Sequence, residues 1–432
     1  MKIAIIGAGP AGYVAALKAA KLGMSVTLVE KAQLGGTCLN RGCIPTKSLL
    51  QAASVYNIIK KESAEWGITV PDVSVDFNGV YAKKAAIVEQ LQKGIAMLLN
   101  NAGVELISGT AKVLPNKMVR VEETGAEIKA DKILICTGSK TARLPIEGIE
   151  YALSSDDVLL SPVEAEKVAI IGGGVIGVEF AQMLARFGCE VCIYEFQSAL
   201  VAMMDTDVSK QLAMQLKKLG VKLQLQAAVS KITPKDGGFE IEASVKEKPH
   251  IAHYEKVIAC VGRKPFRDGV LADGVEPNDD IKFAGDAAGG IQLAHYASAQ
   301  ATNIVEEWAS EKVTFNLNLV PQCIYTSPEV ASVGKREQDC AADEIKIGMY
   351  RINGNGKALI MGENSGFVKT IFSAATGKLI GAHIVAPHAT DIIGEMAIAI
   401  SKGLTASEIG SVIHAHPTVS ESICESIIQI TN

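Results

Sequence analysis

Two cysteines, Cys38 and Cys43, stand five positions apart in the stretch GGTCLNRGCIPTK, residues 35–47. A thiol pair this close can cycle between dithiol and disulfide and so carry two electrons. On an ideal helix, residues five apart lie roughly 8–9 Å from each other. A disulfide wants about 4.4–6.8 Å between α-carbons. The pair can therefore close only where the segment bends, or where Cys38 precedes the regular helix. Gly42 and Pro45 supply distortion, because glycine relaxes the backbone and proline removes a helical donor. The stretch suits a disulfide that is not simply structural.

The other seven cysteines are scattered. Nine in 432 residues do not make a disulfide scaffold, and in a reducing compartment a disulfide is catalytic or redox-sensing rather than structural. Cys136, Cys189, Cys192 and Cys260 fall in apolar strand-like runs and read as small buried hydrophobes. Cys189 and Cys192 have thioredoxin-like spacing but lead into the strand EVCIYE. A metal site built from Cys38, Cys43, His414 and His416 is disfavoured, since zinc gathers cysteines with shorter spacers. No metal is expected.

The elements that must position this pair are organised by a repeat. KIAIIGAGPAG at residues 2–12 returns as KVAIIGGGVIG at residues 167–177, and the same offset of 165 maps Glu30 in VTLVE onto Glu195 in VCIYE. Each copy reads as apolar strand, glycine turn, helix, then a second strand ending in an acid, the pattern of a dinucleotide-binding unit. Its glycines admit a pyrophosphate at the helix N-terminus, and its acid accepts from ribose hydroxyls. One copy would be a weak signal, whereas two at matched spacing are strong. From about Val313 the runs GFVKTIF and KLIGAHIV precede the helical stretches IIGEMAIAIS and SESICESIIQI, which suits a separate α+β domain.

Composition sets the outer bounds. With 48% hydrophobic residues the chain can build two or three domains with ample core. A net charge of −5 with no charged tail, and 5% aromatics, give no footprint of nucleic acid. No apolar run of spanning length appears, and MKIAIIGAG enters a strand at once without a targeting pattern, so a cytoplasmic protein without a membrane partner is expected.

Taken together, GAGPAG, GGTCLNRGCIPTK, TGS, GGGVIGVE, VGRKP, AGD, IYTSPEVASVG and HAHPTVSE resemble the pyridine nucleotide–disulfide oxidoreductases along essentially the whole chain. The resemblance implies an α/β fold of two Rossmann-like dinucleotide-binding domains plus a C-terminal α+β dimerisation domain. The implied boundaries are 1–145 for FAD binding, 146–270 for NAD binding, 271–312 for the returning FAD segment and 313–432 for dimerisation. It further implies FAD at Gly7, Gly9, Gly12, Glu30, Lys47, Thr137, Gly138, Ser139 and Asp286. NAD would lie at Gly172, Gly174, Gly177, Glu179, Glu195 and Gly262. Glu195 favours NAD over NADP, because a carboxylate repels a 2′-phosphate.

By the same resemblance Cys43 lies against the flavin and Cys38 faces the substrate, in a homodimer whose active sites each use both subunits. HAHPTVSE then supplies the proton transfer: His416 as base, Glu421 on its other ring nitrogen, and Pro417 helping to fix its direction. His414 reads as structural, and His295 as a flavin contact rather than a catalyst. The implied reaction is oxidation of a protein-bound dihydrolipoyl group with reduction of NAD, the lipoyl group being presented by another protein of a 2-oxoacid dehydrogenase or glycine-cleavage system.

Competing expectations are an NAD(P)H-dependent reductase of a small disulfide such as glutathione disulfide, and a flavoprotein whose main work is docking. Glu195 and the lack of an arginine cluster oppose the first, and the intact Cys38, Cys43, His416 and Glu421 oppose the second. Mercury reduction would want a further cysteine pair at the C-terminus, which SIIQITN lacks. One departure stands out: only 22 residues separate Gly262 from Gly285, so FRDGVLADGVEPNDD is expected to lack a β-hairpin.

Overall fold

The computed structural model describes residues 1–431. Its first sheet is parallel and five-stranded, in the order Ile281–Phe283, Lys132–Ile135, Lys2–Ile6, Ser25–Glu30, Glu105–Ser108. The second, also parallel, runs Lys222–Leu225, Glu190–Glu195, Lys167–Ile171, Lys256–Ala259, Leu153–Ser154. The apolar strands IAII and VAII are buried along their whole length, as a parallel sheet covered on both faces requires. The sequence repeat becomes a repeat of register: Lys2 pairs with Ser25 and Lys167 with Glu190, each 165 residues on.

Helix Pro10–Lys21 packs against helix Ala294–Trp308 through Ala15, Ala16, Ala19, Ala297 and Ala301, all buried. Small side chains let the two helices approach closely and bring the late helix back onto the first sheet. A three-stranded antiparallel sheet, Ala227–Lys235, Gly238–Val245 and Lys248–Tyr254, flanks the second unit.

From Gln322 onward the chain builds an antiparallel five-stranded sheet covered by helices Ala389–Lys402 and Glu421–Thr431. A buried ionic cluster fastens it to the second unit. Lys369, 1% exposed, places Nζ 3.0 Å from Asp205 and 2.9 Å from Asp207, and also pairs with Glu337.

Between Arg263–Pro265 and Ile281–Phe283 the structure forms no hairpin among the described residues. The short connection is nonetheless pinned. Val113 N donates to Val270 O at 2.7 Å and Ala272 N to Val113 O at 2.8 Å, while Arg267 donates to the carbonyls of Ala287 and Ala288.

Candidate active site

The cysteine segment is two helices rather than one. Gly36–Arg41 carries Cys38 inside it, and Cys43 opens the helix Cys43–Asn57. Gly42 makes the break with φ −151° and ψ −111°. A Cβ there would stand 2.9 Å from the Thr37 carbonyl oxygen and 3.3 Å from the Cys38 α-carbon, so the close approach requires glycine. Pro45 contributes no distortion. It lies in the first turn of the second helix, where its missing N–H has no partner to lose.

Both cysteines are free, and the interaction of their thiols splits their acidities. The hydrogen bond from Cys38, then the charge of Lys47 and the amide at the helix start, outweigh burial and lower the Cys43 thiol to about 7. The same hydrogen bond, with burial and the Cys43 charge, pushes Cys38 up. The dithiol is therefore polarised, with the thiolate on Cys43.

Lys47, one turn along, reaches across to the second unit. Its Nζ lies 3.0 and 2.9 Å from the two oxygens of Glu179, which is 2% exposed. Tyr325, from the C-terminal unit, completes the contact: its backbone N–H donates to Glu179 Oε1 at 2.9 Å, and its ring lies 4.6 Å from Lys47 Nζ. Tyr325 was missed as a site residue. Its motif was visible, but nothing local links it to a glutamate 146 positions away.

The two glycine turns are superimposable in their bonding. Gly7 N donates to Val29 O and Gly172 N to Tyr194 O, both at 2.8 Å, with φ +97° and +105°. Glu30 accepts from Ala8 N at 2.6 Å and from Ala32 N at 2.8 Å. Glu195 accepts from Gly173 N at 2.5 Å and from Gln197 N at 2.7 Å. A Cβ at Gly12 would stand 1.7 Å from Gly7 O, and one at Gly177 2.0 Å from Gly172 O. Nothing lies within 4 Å of a Cβ built at Gly174, and only Gly36 Cα at 3.8 Å meets one at Gly9. Each turn thus presents an open middle glycine at a helix start, with a fixed carboxylate at its edge. That cradle fits a dinucleotide pyrophosphate and its ribose.

One cavity of about 2060 Å³ joins these parts. Its wall contains Cys38, Cys43, Lys47 and Glu179, the turn residues Gly7, Gly9, Gly172 and Gly174, and the carboxylates Glu30 and Glu195. Thr137, Gly138, Ser139, Gly262 and Asp286 also line it, with Ser139 Oγ donating to Asp286 at 2.5 Å. Gly12 and Gly177 do not. They sit behind the turns, where the lack of a Cβ lets helix and strand close. His295 borders the cavity and bonds Pro321 O at 2.8 Å.

His416 and Glu421 are paired as expected, Nδ1 to Oε1 at 2.9 Å, with Thr418 N–H and the histidine holding the Glu421 carboxyl below its usual range. Yet the chain does not bring them to the cysteines. His416 is 79% exposed and lies off the cavity wall. His414 bonds Glu395 at 2.8 Å and Cys424 at 2.9 Å.

Two dinucleotide cradles opening on one polarised dithiol define a nucleotide-linked dithiol–disulfide oxidoreductase. The pyridine nucleotide-disulphide oxidoreductase model matches residues 1–301, and that family's dimerisation domain matches residues 320–427. Dihydrolipoyl dehydrogenase of Bacillus subtilis is 35% identical over 452 aligned positions, covering 99% of this chain and 98% of the relative. That of Zymomonas mobilis is 36% identical, covering 98% and 96%. Among solved structures, the HOCl-induced flavoprotein disulfide reductase RclA of Escherichia coli aligns with a TM-score of 0.87 at 26% identity over 100% of both chains. The chain belongs to the pyridine nucleotide-disulphide oxidoreductase family. It is an FAD-dependent, NAD-linked oxidoreductase carrying the family's dimerisation domain.

Proposed function

We propose that the protein oxidises protein-bound dihydrolipoyl groups to the lipoyl disulfide, passing electrons through Cys38 and Cys43 to FAD and on to NAD+. The observation that carries the reading is the single cavity that joins the Cys38–Cys43 pair, Lys47 and Glu179 to both glycine-turn cradles. Full-length likeness to dihydrolipoyl dehydrogenases supports it.

With the pair closed as a disulfide, a dihydrolipoyl thiolate attacks Cys38 Sγ. The Cys38–Cys43 bond breaks and Cys43 leaves as a thiolate, stabilised by Lys47 and the helix start. The second dihydrolipoyl thiol gives its proton to His416, whose ring Glu421 orients. The resulting thiolate attacks the substrate sulfur, expels Cys38 and closes the lipoyl ring. When bound, FAD and NAD supply the two-electron chemistry that reoxidises the dithiol. Gly7, Gly9, Glu30, Lys47, Thr137, Gly138, Ser139 and Asp286 would hold the first, and Gly172, Gly174, Glu179, Glu195 and Gly262 the second. The Lys47–Glu179 pair joins the two units at the cavity wall.

Because His416 lies away from its own chain's cysteines, it serves the cavity of a second copy in a homodimer formed through the C-terminal unit. The division at 145, 270 and 312, the lipoyl-bearing partner and a cytoplasmic setting belong to the same reading. No helix among the described residues is long and apolar enough to cross a membrane.

The test is direct: mix the purified holoenzyme with dihydrolipoamide and NAD+ and follow NADH. Rapid turnover supports the reading. A flavin reducible by NADH with no dithiol turnover sinks it and favours reduction of another small disulfide, the reading that the likeness to RclA would then support.

A further inference from the structure

Outside the redox cavity, three reactive side chains from three elements form a hydrogen-bonded line. Glu395 on helix Ala389–Lys402 holds His414 Nε2 at 2.8 Å. His414 Nδ1 lies 2.9 Å from Cys424 Sγ on the terminal helix Glu421–Thr431, and 3.1 Å from Val412 O. The imidazole is 9% exposed and Cys424 is half-buried. None of the three lines the cavity or enters the proposed reaction. A metal is not the purpose. Carboxylate and thiol sit on opposite ring nitrogens, and no metal-holding group exists among the described residues.

The arrangement is that of a thiol with its base already docked and the base already oriented. In the neutral state Nε2–H donates to Glu395 and Nδ1 accepts from the Cys424 S–H. After proton transfer, Nδ1–H keeps two acceptors, the Cys424 thiolate and Val412 O, while Nε2–H keeps Glu395. Every proton of the imidazolium has a place to go. Burial, with Glu395 and Glu425, pushes the thiol up, so the resting form is S–H and the proton moves as the sulfur reacts.

We propose that Cys424 is a regulatory oxidation site, a thiol that His414 and Glu395 activate toward peroxides. The sulfur attacks one peroxide oxygen, an S–O bond forms and the O–O bond breaks. Sulfur loses two electrons, and the departing oxygen takes them with the proton relayed by His414, leaving as water or alcohol. The product is a sulfenic acid at Cys424, returned to thiol by a small thiol reductant. The added oxygen lies between the terminal helix and the 412–418 segment. Glu421 stands one turn before Cys424 and His416 two residues after His414, so oxidation displaces the His416–Glu421 pair. This consequence rests on the proposed role of His416.

The experiment exposes the oxidised holoenzyme, whose Cys38 and Cys43 are closed and protected, to hydrogen peroxide. It then traps sulfenic acid with dimedone and maps peptides. The expected label is on Cys424, forming about tenfold or more slowly in His414→Gln. Dihydrolipoamide turnover falls in wild type and returns with dithiothreitol, NADH oxidation by ferricyanide persists, and Cys424→Ser keeps its turnover under peroxide. Labelling of Cys424 only after unfolding in urea, labelling that ignores His414, or equal inactivation of Cys424→Ser would each overturn the proposal. Untreated enzyme without dihydrolipoamide turnover would instead strike the function, and the Cys424 labelling would still judge the site.

Discussion

Lys47 Nζ stands 2.9 Å from Glu179 Oε2, joining the helix that begins at Cys43 to helix Val175–Phe187 of the second nucleotide unit. Lys47→Met leaves Glu179 buried with only the Tyr325 N–H as partner, and removes a charge that stabilises the Cys43 thiolate. In the reduced wild type that thiolate should predominate above about 7 and be lost as pH falls through it. The midpoint should rise in Lys47→Met, and rise further in Cys38→Ala, because the Cys38 hydrogen bond is the larger cause. Alkylation rates of the reduced enzyme against pH measure this, and an unmoved midpoint in both variants would refute the assignment.

His416→Gln should slow dithiol-driven turnover by about two to four orders of magnitude, the usual range for a general base. Reduction of the flavin by NADH should not change. A loss below about tenfold would show that His416 is not the base. Cys43→Ser should abolish dithiol-driven flavin reduction altogether.

Glu195 is fixed by two backbone N–H groups at the edge of the second glycine turn. Glu195→Gln should weaken NAD+ use by about tenfold to a hundredfold, the worth of a hydrogen bond to a charged group, and narrow the gap to NADP+. Comparing kcat/KM for both nucleotides decides it. An unaltered ratio would remove Glu195 from the discriminating contacts.

The matched glycines give a paired test. Gly12→Ala and Gly177→Ala each press a Cβ onto a carbonyl oxygen and should cost about 1–3 kcal/mol locally. Gly12→Ala should lose flavin while Gly177→Ala keeps flavin and raises the KM for NAD+. Identical phenotypes would mean that the two turns do not serve different nucleotides.

Lys369 and Asp205 are 1% and 0% exposed. Lys369→Met strands Asp205 without its cation and should cost about 3–5 kcal/mol. Urea unfolding followed by tryptophan and flavin signals reads the loss. A change under about 1 kcal/mol would show that water reaches the cluster in solution.

Much of the site could be read from the chain because its parts are local. The glycine turns and their acids lie within one strand–helix–strand span, so spacing alone predicts both carboxylates where the structure holds them. The Cys38–Cys43 pair is equally local, although the helix break falls at Gly42 alone and Pro45 is a helix former's neighbour rather than a breaker. What escaped the reading is non-local: Tyr325 meeting Glu179, and Lys369 meeting Asp205 across 164 positions. No periodicity records which distant strands will meet. The Cys424–His414–Glu395 line is intermediate. His414 reads as a packing residue, and only the folded distances give it a thiol on one side and a carboxylate on the other.

The contact among Lys47, Glu179 and Tyr325 draws one residue from each of the three large units. The first sheet closes only with Ile281–Phe283 and helix Ala294–Trp308 in place, so a nascent chain that has folded it owns the cysteines and the Glu179 carboxylate but not the Tyr325 ring. Such a chain has a cavity open where Gln322, Cys323 and Tyr325 will stand. The cavity wall is therefore completed only when the residue that follows strand Gln322–Ile324, Tyr325, docks against Glu179.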